Sequence, residues 1–369
     1  MKILLLSTGG KTGGEETFTR NLALNLQKKG HYVEVAVGGD IQQLDLDAYN
    51  IKIAPIDITK RNVWGLFNCA KALAKYIKTN HFDIIHAQAI GPAIMGVLAK
   101  KIWRCQTPWI WHNHGITDFA YKYIVKYFNR LDLVIANSDY VGVMLRRYGI
   151  SLSKCKRIHN GITVADFAVT DQDRDVLKSA KRVEFGFKST DKIVIYVGRL
   201  SPEKGVEVLL RAFEAVYADR TDIQCLLIGD GVQKAALESQ ISNYNSKQHI
   251  VFAGFRKDIK ELVAASDILV LPSHMETFSL TTLQAFATGT PCIASDVGGT
   301  PEQILNDFNG FLFRDNDDED LALKIKVLIE DSNKYNYFRH NAKALSESYL
   351  NGGRMTDEIE QVYKSLIEQ

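Results

Sequence analysis

Short apolar runs and longer amphipathic stretches alternate along nearly the whole chain of 369 residues. In the first half, residues 3–6, 32–37, 83–86, 109–111 and 133–136 are brief and apolar, the pattern of parallel strands buried on both faces. Between them apolar positions recur at helical spacing over 17–29, 63–78 and 138–148. Asn137-Ser138 supplies capping residue types ahead of the last of these. A second set of strand-like runs follows at 192–197, 224–228, 250–252, 268–271 and 292–294. Alternation of this kind predicts a doubly wound α/β domain, here twice over. Residues 163–190 are polar and poorly periodic, the composition expected of a linker, and the tail from about residue 317 reads as helical. The expected division is an N-terminal domain over 1–162, a second domain over 163–350, and a final helix over 351–369 packing back towards the first. Two such domains in tandem predict a ligand cleft between them, at the carboxyl ends of both sheets.

Composition narrows the class. With 46% hydrophobic and 24% charged residues, the chain has the make-up of a soluble globular protein. No unbroken apolar run approaches 18 residues, and residues 1–6 lead into a glycine loop, so they read as a first strand and not as a leader. The five cysteines are scattered and lack C-x-x-C spacing, which points to free thiols in a reducing cytoplasm. The net charge of +2 hides an asymmetry: residues 1–160 carry 22 Lys and Arg against 11 Asp and Glu, and the remainder 23 against 32. The two halves are therefore expected to face different partners.

The chemistry concentrates in a few loops at predicted strand ends. At 271–304 an apolar strand ends in Pro272-Ser273, an acid follows at Glu276, and Phe278-Ser279-Leu280 opens a helical pattern closed by Gly289. A helix opening after a strand presents unpaired N–H groups that suit an anion such as a diphosphate. The carboxylate of Glu276, just outside that opening, is suited to the hydroxyls of a sugar beside the phosphate. Arg199 and Lys204 lie in the loop after the first strand of the second domain, where two cations can neutralise a leaving diphosphate. The segment from Thr8 to Glu16 places glycines, Gly13 and Gly14 among them, between the first strand and the first helix. Its spacing is not that of a dinucleotide fingerprint, so a tight turn explains it as well. His112 and His114 sit at a strand end with period-2 spacing. No third ligand stands at useful spacing, so metal binding or simple local satisfaction remain open beside a role at the cleft. His86 is expected to pack or to line the cleft. Asp45-Leu46-Asp47 and Asp315-Asn316-Asp317 have the D-x-D form that can hold a metal–diphosphate complex. The second also opens an acidic run that suits a helix N-terminus. Lys122, Lys126 and Arg130 recur every four residues among aromatics. On a helix they would share one face, suited to anionic lipid or to plain solvent exposure.

The run Glu276-Thr277-Phe278-Ser279-Leu280-Thr281-Thr282-Leu283-Gln284-Ala285 resembles the E-G-F-G-L-x-x-L-E-A donor motif of the retaining glycosyltransferases of family 4. Gly198-Arg199-Leu200 with Lys204-Gly205 resembles that family's G-R-L-x-x-x-K-G. His114-Gly115 resembles its His-Gly strand end, and Ile158-His159-Asn160-Gly161-Ile162 its P-N-G segment, here a turn at the domain junction. The chain departs from the pattern at Gln284, where the family has a second Glu, and at Thr277, Ser279 and His159. The resemblance implies the GT-B fold, two Rossmann-like domains facing a central cleft. It further implies transfer of a hexose with retention from a nucleoside diphosphate sugar, UDP favoured and GDP-mannose possible, to a hydroxyl of a glycan or glycolipid. Cell-surface polysaccharide or lipopolysaccharide assembly would be the setting. In that reading Glu276 and His114 meet the sugar. Arg199, Lys204, Gly14 and the amides of Phe278, Ser279 and Leu280 hold the diphosphate, and Gln284 meets the ribose. Gly13, Glu16 and His112 lie on the acceptor side. No metal or other cofactor is required, no nucleic acid is involved, and contact with the inner leaflet of the membrane is transient. A nucleotide-sugar epimerase of related fold and a non-catalytic nucleotide-sugar-binding protein are the alternatives.

Overall fold

The computed structural model describes residues 1–8, 14–38, 46, 49–59, 62–115 and 121–368, and of residues 121 and 122 the backbone only. The chain forms two units, Met1–Ile162 with Asn351–Gln369, and Thr163–Leu350.

The first unit holds β1 (Lys2–Ser7), α1 (Gly14–Lys28), β2 (Tyr32–Val37), β3 (Lys52–Ile53), α2 (Val63–Asn80), β4 (Ile84–Ala87), α3 (Ile90–Ile102) and β5 (Trp109–Asn113). After these come α4 (Tyr121–Ile124), β6 (Leu133–Ala136), α5 (Asp139–Arg147) and β7 (Cys155–Arg157). Its sheet is parallel, in the order β3-β2-β1-β4-β5-β6-β7. β1 buries every residue after Lys2, as a strand covered on both faces must. Gly96 lets α3 lie close on β5, since a Cβ there would stand 2.6 Å from the Trp109 ring.

The second unit opens with α6 (Val164–Phe167) and α7 (Asp171–Phe185) and continues through β8 (Lys192–Val197), α8 (Val206–Asp219), β9 (Ile223–Ile228), α9 (Lys234–Gln240) and β10 (Ile250–Gly254). Next are α10 (Ile259–Ala265), β11 (Ile268–Leu271), α11 (Leu280–Thr288), β12 (Cys292–Ser295), β13 (Gly310–Phe313), α12 (Asp318–Glu330) and α13 (Ser332–Ser348). This sheet is also parallel, in the order β10-β9-β8-β11-β12-β13. The last helix, α14 (Gly352–Ile367), belongs to the first unit, where Lys29, just after α1, pairs with Glu360 at 2.8 Å.

Two sequence expectations are corrected here. Residues 163–190 are not a linker, because α7 occupies most of them, capped by the Thr170 hydroxyl and closed by Gly186 in the left-handed region. Its buried face is built on arginines, which no apolar periodicity reveals. Arg174 donates to the carbonyls of Ser266, Thr288 and Gly289 and to the Thr290 hydroxyl, and Arg182 to the Asp191 carbonyl and to Asp267. The second correction concerns Lys122, Lys126 and Arg130. Residues 125–130 form a 3-10 helix, with Val125 and Phe128 buried three apart. At three residues per turn, Lys126 and Arg130 do not share a face.

Candidate functional site

In each sheet, the strand order reverses at one junction, β1 beside β4 and β8 beside β11. Loops leaving the carboxyl ends of two such strands diverge and leave room for a ligand.

At the β8–β11 junction the backbone closes to van der Waals limits. Gly229 (φ +133°) packs so near the Gly198 carbonyl that a Cβ would lie 1.8 Å from its oxygen. The Tyr196 hydroxyl, from beneath, donates to the Arg199 carbonyl at 2.7 Å. A 3-10 turn over Pro202–Lys204 then delivers Gly205 (φ +59°), where a Cβ would meet the Pro272 carbonyl oxygen at 2.1 Å. Only glycine lets the start of α8 approach the exit of β11 this closely. As a consequence Lys204 and Glu276, far apart in sequence, pair at 2.8 Å with both side chains mostly sheltered. Arg199 points outward, with 69% of its side chain exposed, and pairs with Glu203.

Glu276 is held by its backbone, whose carbonyl accepts from Gly299 N–H at 3.0 Å. Ser279 caps α11, its hydroxyl accepting from Thr282 N–H. The buried Gln303 brackets Ser279, its Oε1 accepting from the Ser279 N–H and its Nε2 donating to the Ser279 carbonyl, both at 2.8 Å. The Ser279 amide is thus committed to Gln303 and drops out of the expected diphosphate set. Phe278 is buried ahead of the helix, Leu280 stands at its first position, and Gln284 lies one turn on, half-buried. Gly289, left-handed at φ +72°, ends α11 as the glycine pattern predicts.

The acidic run from Asp315 opens α12, as its reading as a helix N-terminus expects. Asp315 accepts from His274 Nδ1 at 2.6 Å, and Asp317 caps α12 by accepting from Asp320 N–H. Asp45 and Asp47, the other D-x-D pair, lie outside the described residues, as does Gly13.

At the β1–β4 junction the furnishing is different. His86, His112 and His114 form a column: His86 and His112 stack at 5.4 Å and 4°, and His112 and His114 at 4.4 Å and 21°. Phe18 of α1 packs against the last two. Tyr363 of α14 closes one end, its hydroxyl 2.6 Å from His86 Nδ1. At the other end, His114 Nε2 donates to Gln88 Oε1 at 2.8 Å. Burial pushes the His86 and His114 imidazoles down to about 3, and holds His112 well below its ordinary value. All three rings are neutral at physiological pH. The period-2 spacing does turn His112 and His114 the same way, but into a stack. His112 is completely buried and therefore packs, so its expected place on the acceptor side is corrected. Gly14 is exposed at the first position of α1, and Glu16 is buried. It is Glu15 that reaches the end of β1, accepting from the Ser7 hydroxyl at 2.9 Å and the Thr8 N–H at 3.1 Å. Burial raises its carboxyl to about 6.

His274, Gln303, Gln88 and Glu15 were not legible as site residues. His274, Gln303 and Gln88 pair with residues of distant elements, and Glu15 with Ser7 and Thr8 across the loop before its helix, pairings that no local hydropathy pattern announces.

Chemically, the second unit's edge offers a cation, a carboxylate and a helix N-terminus within one loop cluster. Such a set can hold a phosphate and accept from hydroxyls. The first unit's edge offers neutral imidazole and amide groups, suited to orienting uncharged polar groups.

Two family models match in tandem, Glycosyltransferase Family 4 over residues 12–166 and Glycosyl transferases group 1 over residues 178–345. The chain is 24% identical over 377 residues to an uncharacterized glycosyltransferase of Methanocaldococcus jannaschii, covering 96% of this chain and 95% of that one. It is 25% identical to the UDP-Gal:alpha-D-GlcNAc-diphosphoundecaprenol alpha-1,3-galactosyltransferase of Escherichia coli, covering 80% and 79%. The crystal structure of Anabaena HepE with UDP and glucose superposes with a TM-score of 0.87 at 25% identity, covering 99% of this chain and 100% of that one.

Proposed function

We infer the reaction from the family: the chain belongs to glycosyltransferase family 4 and has the GT-B fold. We propose that it moves a hexose, with retention of anomeric configuration, from a nucleoside diphosphate sugar to a hydroxyl of a lipid-linked or polysaccharide glycan. A UDP-sugar is the favoured donor and GDP-mannose the second choice. The HepE complex with UDP and glucose supports a UDP donor, and the acceptor in the E. coli galactosyltransferase's name supports a lipid-linked acceptor.

The observation that carries this reading is the Lys204–Glu276 pair beside the N-terminus of α11. In our assignment the donor diphosphate takes Lys204 from Glu276, with Arg199 and the amides of Phe278 and Leu280 completing its shell. Glu276, released, accepts hydrogen bonds from donor-sugar hydroxyls. His114, neutral and held by Gln88, is assigned to the sugar as a hydrogen-bonding group and not as a charge. Gln284 takes the ribose by its amide oxygen and its N–H₂, and Gly14 lies against the diphosphate. A phosphate oxygen of the leaving group takes the acceptor proton, so neither a dedicated base nor a metal is used.

The test is incubation with a panel of UDP- and GDP-hexoses and a diphosphoprenyl-linked sugar, with the product anomer read by NMR. Transfer with the donor's configuration is expected. An inverted product overturns the mechanism. Conversion of the donor without acceptor indicates an epimerase, and binding without turnover a non-catalytic protein.

A transient contact with anionic lipid belongs to the same proposal. Among the described residues no helix is long and apolar enough to cross a membrane. The first unit nevertheless exposes Val63 and Trp64 at the start of α2 and, separately, Tyr123 and Tyr127 in the segment that carries the exposed Lys126 and Arg130. Co-sedimentation with phosphatidylglycerol vesicles and not with phosphatidylcholine vesicles is the expected result.

A further inference from the structure

His274 lies in the loop between β11 and Glu276, and its ring is held at both nitrogens. Nδ1 donates to Asp315 at 2.6 Å and Nε2 to Glu207 at 3.0 Å. These carboxylates come from different elements, Asp315 from the turn after β13 and Glu207 from the first turn of α8. The backbone adds to the grip: the N–H groups of His274 and Met275 both donate to the Glu203 carbonyl. A neutral imidazole has only one N–H to give, whereas the imidazolium has two. Donation to two carboxylates at once therefore requires the cation.

We propose that His274 is a positioning residue: as an imidazolium it staples the loop carrying Glu276 to the start of α8, and so sets Lys204 and Glu276 as a pair. The inference rests on the reading of Lys204 and Glu276 given above and extends it to what holds them. Glu207 and Asp315 raise the His274 imidazole above its ordinary 6.5 against the opposing effect of burial. Of the other charged groups on the packed elements, Glu203 pairs with Arg199, Lys204 with Glu276 and Arg211 of α8 with Asp318, while Glu214 of α8 accepts from the Asn245 and Ser246 amides and Arg314 neighbours Asp315 in the turn after β13. The sign follows from the raised value. The staple is complete at and below pH 6.5 and is lost as the pH climbs through the folded-state value. In an unpaired, exposed histidine half of the cation would already be lost at that ordinary value.

The experiment measures UDP affinity and thermal midpoint between pH 6.5 and 9.0 for wild type, His274→Gln and the double variant Glu207→Gln/Asp315→Asn, with a histidine NMR titration of wild type. Wild type should lose about tenfold in UDP affinity across this range, a tenfold change being the worth of one good charge-assisted hydrogen bond. Both variants should start near the weakened value at pH 6.5 and stay flat relative to wild type. A wild-type His274 titrating at or below 6.5, or a pH dependence retained in His274→Gln, overturns the staple. The underlying reading is judged separately by Lys204→Ala and Glu276→Ala. If these leave UDP binding and transfer unchanged while His274→Gln flattens the profile, the assignment of the pair fails and the staple stands. If UDP binds to none of the proteins, the thermal midpoint decides. The fall in wild-type midpoint above pH 6.5 should then be absent in both variants.

Discussion

The two sheets share a plan and differ in what fills it. Beside the β1–β4 junction the first unit sets three neutral imidazoles, a phenylalanine and an amide. Beside the β8–β11 junction the second unit sets ion pairs: Lys204 with Glu276, and His274 with Glu207 and Asp315. Topology alone therefore decides where a site forms and says little about its chemistry. The physical difference lies in desolvation. Rings stacked on one another exclude water and hold histidine uncharged, whereas carboxylates on both sides of a ring hold it charged. The same residue type is pushed in opposite directions in the two units.

The largest expected effect tests the charged side. Glu276→Ala should lower transfer by on the order of a thousandfold, as loss of a group aimed at the reacting sugar does. His112→Phe, which keeps the stack apolar, should stay within a few-fold of wild type. Equal losses in the two variants, in a transfer assay with matched protein, would erase the proposed division of labour.

The neutral side has its own signature, in stability against pH. His86 and His114 are held at about 3, below the ordinary 6.5, and His112 is lowered with them. Their contribution is present above pH 6.5 and is lost as the pH falls towards 3, each histidine costing about 1.4 kcal/mol per pH unit in that window. His86 and His114 together cost about 3 kcal/mol per unit, enough to bring the first unit towards unfolding in mild acid. Circular dichroism against pH checks this, and His112→Phe should move the acid midpoint downward. His274 works in the opposite sense, so its unit should lose stability on the alkaline side.

Smaller effects separate packing from chemistry. Arg174→Met leaves the carbonyls of Ser266, Thr288 and Gly289 without their donor and should cost about 3 kcal/mol in denaturant unfolding of the second unit. A change below 1 kcal/mol would mean that α7 is held by its apolar contacts alone. Smallest is Gln284→Glu, which adds a charge where the family has an acid. It should strengthen UDP binding by about 1 kcal/mol, measured by calorimetry. Loss of binding would show that the amide donates a bond that a carboxylate cannot.

Much of the fold was legible because buried parallel strands have a plain signature. Residues 32–37, 133–136, 192–197 and 268–271 read as strands from composition and are strands to the residue. The α11 boundaries followed from the apolar helical spacing that opens at Phe278-Ser279-Leu280 and from the closing Gly289. The α7 helix was not legible, because its inward face is arginine hydrogen-bonded to carbonyls from three other segments. The 3-10 geometry of residues 125–130 was equally hidden, since a four-residue charge repeat and a three-residue burial repeat overlap there.

The amino-acid sequence by itself determined the strand and helix alternation, the glycines that permit close backbone crossings, and the residue types gathered at the strand ends. These are local properties, set by hydropathy and by the φ values that each residue type allows. Tertiary structure alone decided which of those residues meet: Lys204 with Glu276, Gln303 with Ser279, and His274 with two acids from separate elements. It also decided which histidines are charged, because protonation depends on burial and on neighbours brought from elsewhere in the chain.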